Sequence, residues 1–360
     1  MANNSTPSFL EKVKSFFKAL SKQQLIAIIA AVVAVAILIP VIIFVPKGNN
    51  TPEETTPATT TPAETTPEVT TPEVTTPDNT PDNTPVAKNY TFAFAVDTSI
   101  SGTKVTNYVL ALVLGADGKI VAARIDCAEI APELDESGAL VAATGILSKV
   151  EQGDSYGGDY PMSGGSWAKQ TKAFEDAIVG MTVEEAVAID MTLVAGCTMP
   201  SSPVTFKALL TEAAASENKI QFTTADPITV GVALDSYTKS GRGGKVQAFS
   251  EVAAVVFADG KVVAAAIDSI EQGFVITDGE LEANEALLSK AEMGDDYQKG
   301  GMAASWEAQG LVFANALVGL TAEEVAAFEP VSDALAAAGC TLAWGADYKA
   351  AVDKAVTNVR

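Results

Sequence analysis

Histidine is absent from all 360 residues of the chain. That removes Ser-His-Asp and Cys-His nucleophilic catalysis, His-ligated zinc and the commonest general base together. Cysteine is nearly absent too, with only Cys127, Cys197 and Cys340, and none of the short paired spacings that mark zinc or iron–sulfur sites. A Cys127–Cys197 disulfide is chemically allowed in an oxidising compartment, leaving Cys340 single; three buried thiols is the alternative. Positive charge is scarce, 23 Lys and Arg against 45 Asp and Glu, for a net −22. Such a surface repels phosphate backbones and anionic lipid, so no nucleic-acid partner is expected.

The scarce positive charge is unevenly placed. Up to Lys47 the charged residues are Lys12, Lys14, Lys18, Lys22 and Lys47 against Glu11 alone. Residues 25–45, from Leu25 to Val45, are apolar and carry no charge, enough at helical rise to cross a hydrocarbon core of ~30 Å. This predicts a transmembrane helix in which Pro40 is tolerated as a kink. A cleaved signal peptide is the competing reading, but the run is long and no small-x-small site follows it. Lysines before the span and acids after it put the N-terminus in the cytoplasm and the remainder outside a plasma membrane crossed once. Within residues 1–24, Phe9, Leu10, Val13, Phe16, Phe17 and Leu20 recur at helical spacing; they suit an amphipathic helix on the inner leaflet or an extension of the span.

Residues 46–88 form a Thr/Pro-rich stalk. Units such as TTPEV and TPDN have no apolar periodicity and too many prolines to build a core, so disorder is expected. Extended, the stalk reaches roughly 100 Å at ~3.1 Å per residue.

Beyond it the sequence repeats. The block from Ala116 to Asp126 matches that from Ala258 to Asp268, and Leu147–Tyr156 matches Leu288–Tyr297. Trp167, Gln170, Phe174, Gly180 and Thr182 meet Trp306, Gln309, Phe313, Gly319 and Thr321 without a gap. We therefore divide the rest into repeat domains 89–218 and 219–360. Val105–Leu114 and Lys119–Asp126 read as strands joined by Ala116-Asp117-Gly118, a hairpin signal. Ser166–Val179 reads as a helix ended by Gly180, followed by a capping box at Thr182–Glu185 and a last helix over Val204–Ala215. The expected fold is α+β, each repeat an antiparallel β-sheet with helices packed on one face.

Candidate site residues cluster before the Trp-bearing helix. Asp154, Tyr156 and Asp159 in the first copy, and Asp295, Asp296 and Tyr297 in the second, combine carboxylates, glycines and aromatics. A ligand or Ca²⁺ site would use such oxygens; a turn whose aspartates satisfy local backbone donors is the alternative. Trp167 and Trp306 could stack on a sugar or flavin ring, or else fill the core. A carboxylate-based enzyme such as a glycosidase could be built on Asp154, Asp159, Asp295 or Asp296 if two acids stood at the right separation. The glycine-rich basic run Lys239–Lys245 lacks the order of a phosphate loop and reads as a strand connection.

The succession of a hairpin with Asp-Gly-Lys, then Gly-Asp-x-Tyr, a Met-x-x-x-Ser-Trp helix start and Val-Gly-x-Thr-x-Glu-Glu resembles a repeat in uncharacterised surface proteins of anaerobic Gram-positive bacteria. More loosely it is similar to extracellular FMN-binding domains, which would imply flavin-based electron transfer. Their covalent attachment motif contains Gly-Ala-Thr, which does not occur here; Met162–Ser166 reads MSGGS. The expectation carried forward is a membrane-anchored surface module for non-catalytic binding of an extracellular ligand or protein, or for display, with electron transfer and a carboxylate enzyme as alternatives.

Overall fold

A computed structural model describes residues 86–156, 165–199, 203–241, 245–284, 288–297, 302, 304–342 and 345–360, all within one compact unit, Thr80–Arg360. The amphipathic segment, the span and the stalk as far as residue 85 lie outside the described residues. Among the described residues no helix is long and apolar enough to cross a membrane.

The fold is α+β with antiparallel sheets. Strand β1 (Lys88–Ser101) pairs with β2 (Lys104–Gly115), which pairs with β3 (Ile120–Ile130). After helices α1 (Lys149–Gln152), α2 (Trp167–Ile178), α3 (Val183–Ala188) and α4 (Pro203–Ala215), strand β4 (Ile220–Thr224) returns to the outer edge of β1. The first sheet, ordered β3-β2-β1-β4, therefore runs past residue 218. In the second half β5 (Ile228–Ser240), β6 (Val246–Ala258), β7 (Lys261–Thr277) and β8 (Glu280–Ala283) form a sheet ordered β8-β7-β6-β5. Helices α5 (Trp306–Asn315), α6 (Ala322–Ala326), α7 (Asp333–Ala337) and α8 (Gly345–Thr357) follow.

Local chemistry explains these elements. In the second hairpin Asp259 and Gly260 both take positive φ, 49° and 70°, as a two-residue turn between right-twisted strands requires. The first hairpin carries the additional Gly115, whose N–H bonds Lys119 O at 2.8 Å. Thr182 and Thr321 each cap a helix through a reciprocal box with Glu185 and Glu324, satisfying two orphan N–H groups. The chain leaving α2 bonds the edge of β3, Ile120 N to Met181 O at 2.8 Å, and the chain leaving α5 bonds β7 in the same way, Val262 N to Leu320 O at 2.8 Å. Each contact occupies one end of a strand edge that could otherwise pair with another chain.

Helices cover one face of each sheet. The helix-facing core of the first half joins Leu110, Leu112 and Ile125 to Trp167, Phe174 and Phe206; that of the second joins Val255 and Ile267 to Trp306, Phe313 and Tyr348. The other two sheet faces meet each other. Phe92, Val109 and Val113 of the first pack with Val230, Val252 and Val256 of the second in a core of strand residues alone. The order is helices, sheet, sheet, helices. Because β6 is covered on both sides it is buried along almost its whole length and reads as an apolar run without alternation.

Candidate functional site

Asp154 stands on an exposed turn, pairs with Lys169 at 2.8 Å, and is held below the usual carboxylate range by that ammonium. Asp295 and Asp296 occupy the matching turn, also exposed. Asp159 lies outside the described residues, as do Gly164 and its neighbours in the MSGGS run before Gly165. Among the described residues no three acidic or cysteine side chains converge as a cation site would need. Tyr156 and Tyr297 turn inward beneath the turns, their hydroxyls donating to Glu129 at 3.3 Å and Glu271 at 3.2 Å. Lys149 lies 4.6 Å from the Tyr156 ring centroid and 2.8 Å from Glu129. The structure thus gathers Tyr156 with Lys149 and leaves Asp154 apart in solvent.

Of the two roles open to the tryptophans, ligand stacking and core packing, the structure shows core packing. Trp167 and Trp306 are each 2 % exposed, edge-on to Phe206 at 6.0 Å and Tyr348 at 5.5 Å, because their positions fall on the apolar helical stripe. A ring buried there presents no face to a flavin or sugar. The Cys127–Cys197 bridge is likewise not formed: Cys127, Cys197 and Cys340 are free, buried thiols, and burial raises the pKa of all three, keeping them protonated and unreactive.

Sequence reasoning assigned no role to two matched pairs of buried polar residues that tie loops to each half. Asp126 and Asp268 are buried near the middle of β3 and β7. Asp126 accepts from the N–H groups of Cys127 at 2.7 Å and Val150 at 3.1 Å; Asp268 accepts from Ser269 at 2.7 Å and Ala291 at 3.0 Å. Burial pushes both carboxyls up to about 7, against the hydrogen bonds that favour the ionised form. The available signal was a lone aspartate inside an apolar strand at matching positions of the two halves. Gln170 and Gln309 are a second matched pair. Each accepts from the N–H of the threonine after a buried cysteine, Thr198 at 2.6 Å and Thr341 at 2.7 Å, and donates to a backbone carbonyl before its own helix.

The halves diverge where each helix layer borders the opposite sheet. Beside β3, buried Glu175 of α2 receives Ile125 N at 2.8 Å, Arg360 Nη2 at 2.8 Å and Arg124 Nη1 at 3.5 Å. Arg124 also donates to the Arg360 carbonyl. Lys354 of α8 pairs with Asp235 at 2.9 Å and Glu151 at 3.4 Å. Beside β7 the same positions in the repeat alignment are Ala266 for Arg124, Ala314 for Glu175 and Gly310 for Thr171. Helices α4 and α8 are both 13 residues long; their tenth residues are Glu212 and Lys354, and three positions past their ends stand Asn218 and Arg360.

What that exchange leaves is a cleft of about 240 Å³, walled by β1, α4 and β4 on one side and by β7 and α5 on the other. Phe94, Ile220 and Leu311 give it apolar walls, with the buried Trp306 behind them, and Glu212, Asp268, Glu292 and Glu307 line it as well. It is concave and mostly apolar with a few polar groups, as small-molecule sites are, and is smaller than the roughly 300–1,000 Å³ that takes a drug-sized ligand, which suits part of a molecule or a small one. The donor set does not suit FMN, whose phosphate carries the same sign as those carboxylates.

Searches against known protein families, curated proteins and solved structures found no match to the chain. The class that can be stated is therefore structural: an α+β body of two antiparallel sheets packed face to face beneath outer helices.

Proposed function

We propose that the chain is a membrane-anchored, non-catalytic binding module held outside the cell, in which two copies of one α+β unit, arisen by duplication, share a single ligand cleft. The observation that carries this is the cleft itself: about 240 Å³ open beside β7, while the same place beside β3 is filled by Arg124, Glu175 and Arg360. A chain that needed only a spacer had no use for the difference. The uncharged run from Leu25 to Val45 supports an anchor, the lysines before it support a cytoplasmic N-terminus, and the Thr/Pro-rich stalk supports a cleft held away from the membrane. The matched bonds of Asp126 with Asp268, and of Gln170 with Gln309, support duplication.

A test uses the full-length chain in detergent and a panel of small molecules of both charges, read by ligand-observed NMR. Some members should show saturable contact with the protein and lose it in an Ala266→Leu/Ala314→Leu variant that fills the cleft. If no member distinguishes the two proteins, the binding reading is wrong. Protease added to intact cells should remove the chain after Lys47; full protection would refute the placement outside.

A further inference from the structure

We infer that the cleft takes the cationic end of a small organic ligand, a guanidinium, amidinium or primary ammonium carried on an apolar body; this rests on the cleft being the binding site. The matching place beside β3, which side chains fill, shows which chemistry the architecture accommodates. There the guanidinium groups of Arg124 and Arg360 and the ammonium of Lys354 enter from β3, the C-terminus and α8, and meet Glu175, Glu151 and Asp235. In the open cleft each of these three cations is gone: Ala266 replaces Arg124, Asn218 replaces Arg360, and Glu212 reverses the charge of Lys354.

The acids were not removed in step. Glu292 keeps the place of Glu151, Asp268 keeps that of Asp126, and Glu307 is added where the first half has Ala168. Glu307 accepts from the neutral Asn218 amide, and Asp268 accepts from backbone N–H groups. No lysine or arginine is among the described residues lining the cleft. Glu212 and Glu307 are partly withdrawn from water beside the apolar walls, where a carboxylate holds a cation better than on an open surface because the local dielectric is lower, while Glu292 stands exposed at the rim. Truncation to Ala266, Gly310 and Ala314 also removes the volume of an arginine, a glutamate and a threonine side chain from one spot. Phe94 and Leu311, which keep exposed surface on the cleft, then offer the apolar contact that the stem of a side chain makes beside β3.

Benzamidine, a cation at neutral pH, and its neutral analogue benzamide are the probes, titrated calorimetrically into the full-length chain in detergent. Benzamidine should bind at one equivalent, at least tenfold more tightly than benzamide. An Ala266→Arg/Ala314→Glu variant, which grafts in the pair present at Arg124 and Glu175, should lose it. Equal binding of both probes, lost in the graft, would overturn the cationic class and leave the cleft as the site. No binding of either, or binding that survives the graft, would remove the site and the inference together. Should the graft not fold, Glu212→Gln/Glu307→Gln decides the matter: benzamidine should weaken about tenfold with benzamide unchanged, and an unchanged benzamidine affinity overturns the proposal.

Discussion

The two clefts differ by a handful of side chains, while the scaffold around them is held by the same bonds. Beside β3, Arg124 and Arg360 neutralise Glu175 in the interior; beside β7, Ala266 and Ala314 leave space and Glu307 adds an acid. Yet Asp126 and Asp268 hold the same backbone groups, and Gln170 and Gln309 clamp the same threonines. The lesson concerns division of labour. Where two like halves pack sheet to sheet, buried ion pairs can fasten one border while the matching border keeps an open cleft, the site we propose for a ligand.

The largest expected effect tests what the halves share. Asp126 and Asp268 have an ordinary carboxyl pKa of 3.8 when unfolded and about 7 in the fold. Between those values the folded chain holds protons that the unfolded chain has released. Stability from this source is complete below about pH 4 and is lost as pH rises through 7, by up to about 1.4 kcal/mol per unit for each group. Urea unfolding across pH 4–8 should show that decline, and Asp126→Asn and Asp268→Asn should each flatten it by a similar amount. Buried Glu175 and Glu251 are raised by desolvation as well, so a residual slope should persist in the double variant. Unequal flattening would break the equivalence of the two halves.

The next effect tests what they do not share. Arg124→Ala leaves Glu175 buried with Arg360 alone, and should cost about 3 kcal/mol, the order found when one member of a buried pair is removed. Arg124→Ala/Glu175→Ala recreates the small residues of the open cleft and should cost less than the single change, measured by denaturant midpoint at constant slope. A double variant worse than Arg124→Ala would mean that the ion cluster fastens the halves by more than neutralising its own charges.

These contrasts were only partly legible in the amino-acid sequence. The Asp-Gly hairpin, the Thr182 and Thr321 capping boxes and the stripe of Trp167, Gln170 and Phe174 follow from turn geometry and helical period, and each is present. What covers the second face of each sheet did not follow. The unbroken apolar run of β6 says that both sides are buried, but not that the cover is the other sheet. Strand β4 lies past the boundary at residue 218 yet pairs with β1, some 130 residues earlier, a pairing that no local pattern announces. The exposed acids of the Gly-Asp-x-Tyr loop drew attention because they are chemically conspicuous. The cleft escaped because Ala266, Gly310 and Ala314 define it by what they lack, and only a position-by-position comparison with Arg124, Thr171 and Glu175 exposes them.

A third perturbation returns to the shared scaffold. Gln170→Leu or Gln309→Leu strips a part-buried backbone N–H and a carbonyl of their side-chain partner at once, and should cost roughly 1–2 kcal/mol in either half. The Gln309 variant should also weaken any ligand of the open cleft, since Gln309 sits in α5 between Trp306 and Gly310. The Gln170 variant should leave that ligand's affinity unchanged at saturating fold stability. Equal effects on binding would show that the cleft is not formed locally by α5.

The smallest expected effect comes from one oxygen atom. Trp306 Nε1 donates to the Tyr348 hydroxyl at 2.8 Å, whereas the fourth residue of α4 is Phe206 and Trp167 Nε1 has no partner among the described residues. A buried indole N–H left unpaired costs free energy that a suitably placed acceptor recovers. Phe206→Tyr should therefore stabilise the chain by about 1 kcal/mol, and Tyr348→Phe should destabilise it by a similar amount, each read as a shift of the denaturant midpoint. Tyr348 burial already raises its hydroxyl pKa, so neither effect should vary between pH 5 and 8. If Phe206→Tyr instead destabilises, the core above the first sheet has no room for the added hydroxyl, and the two halves differ in packing as well as in polarity.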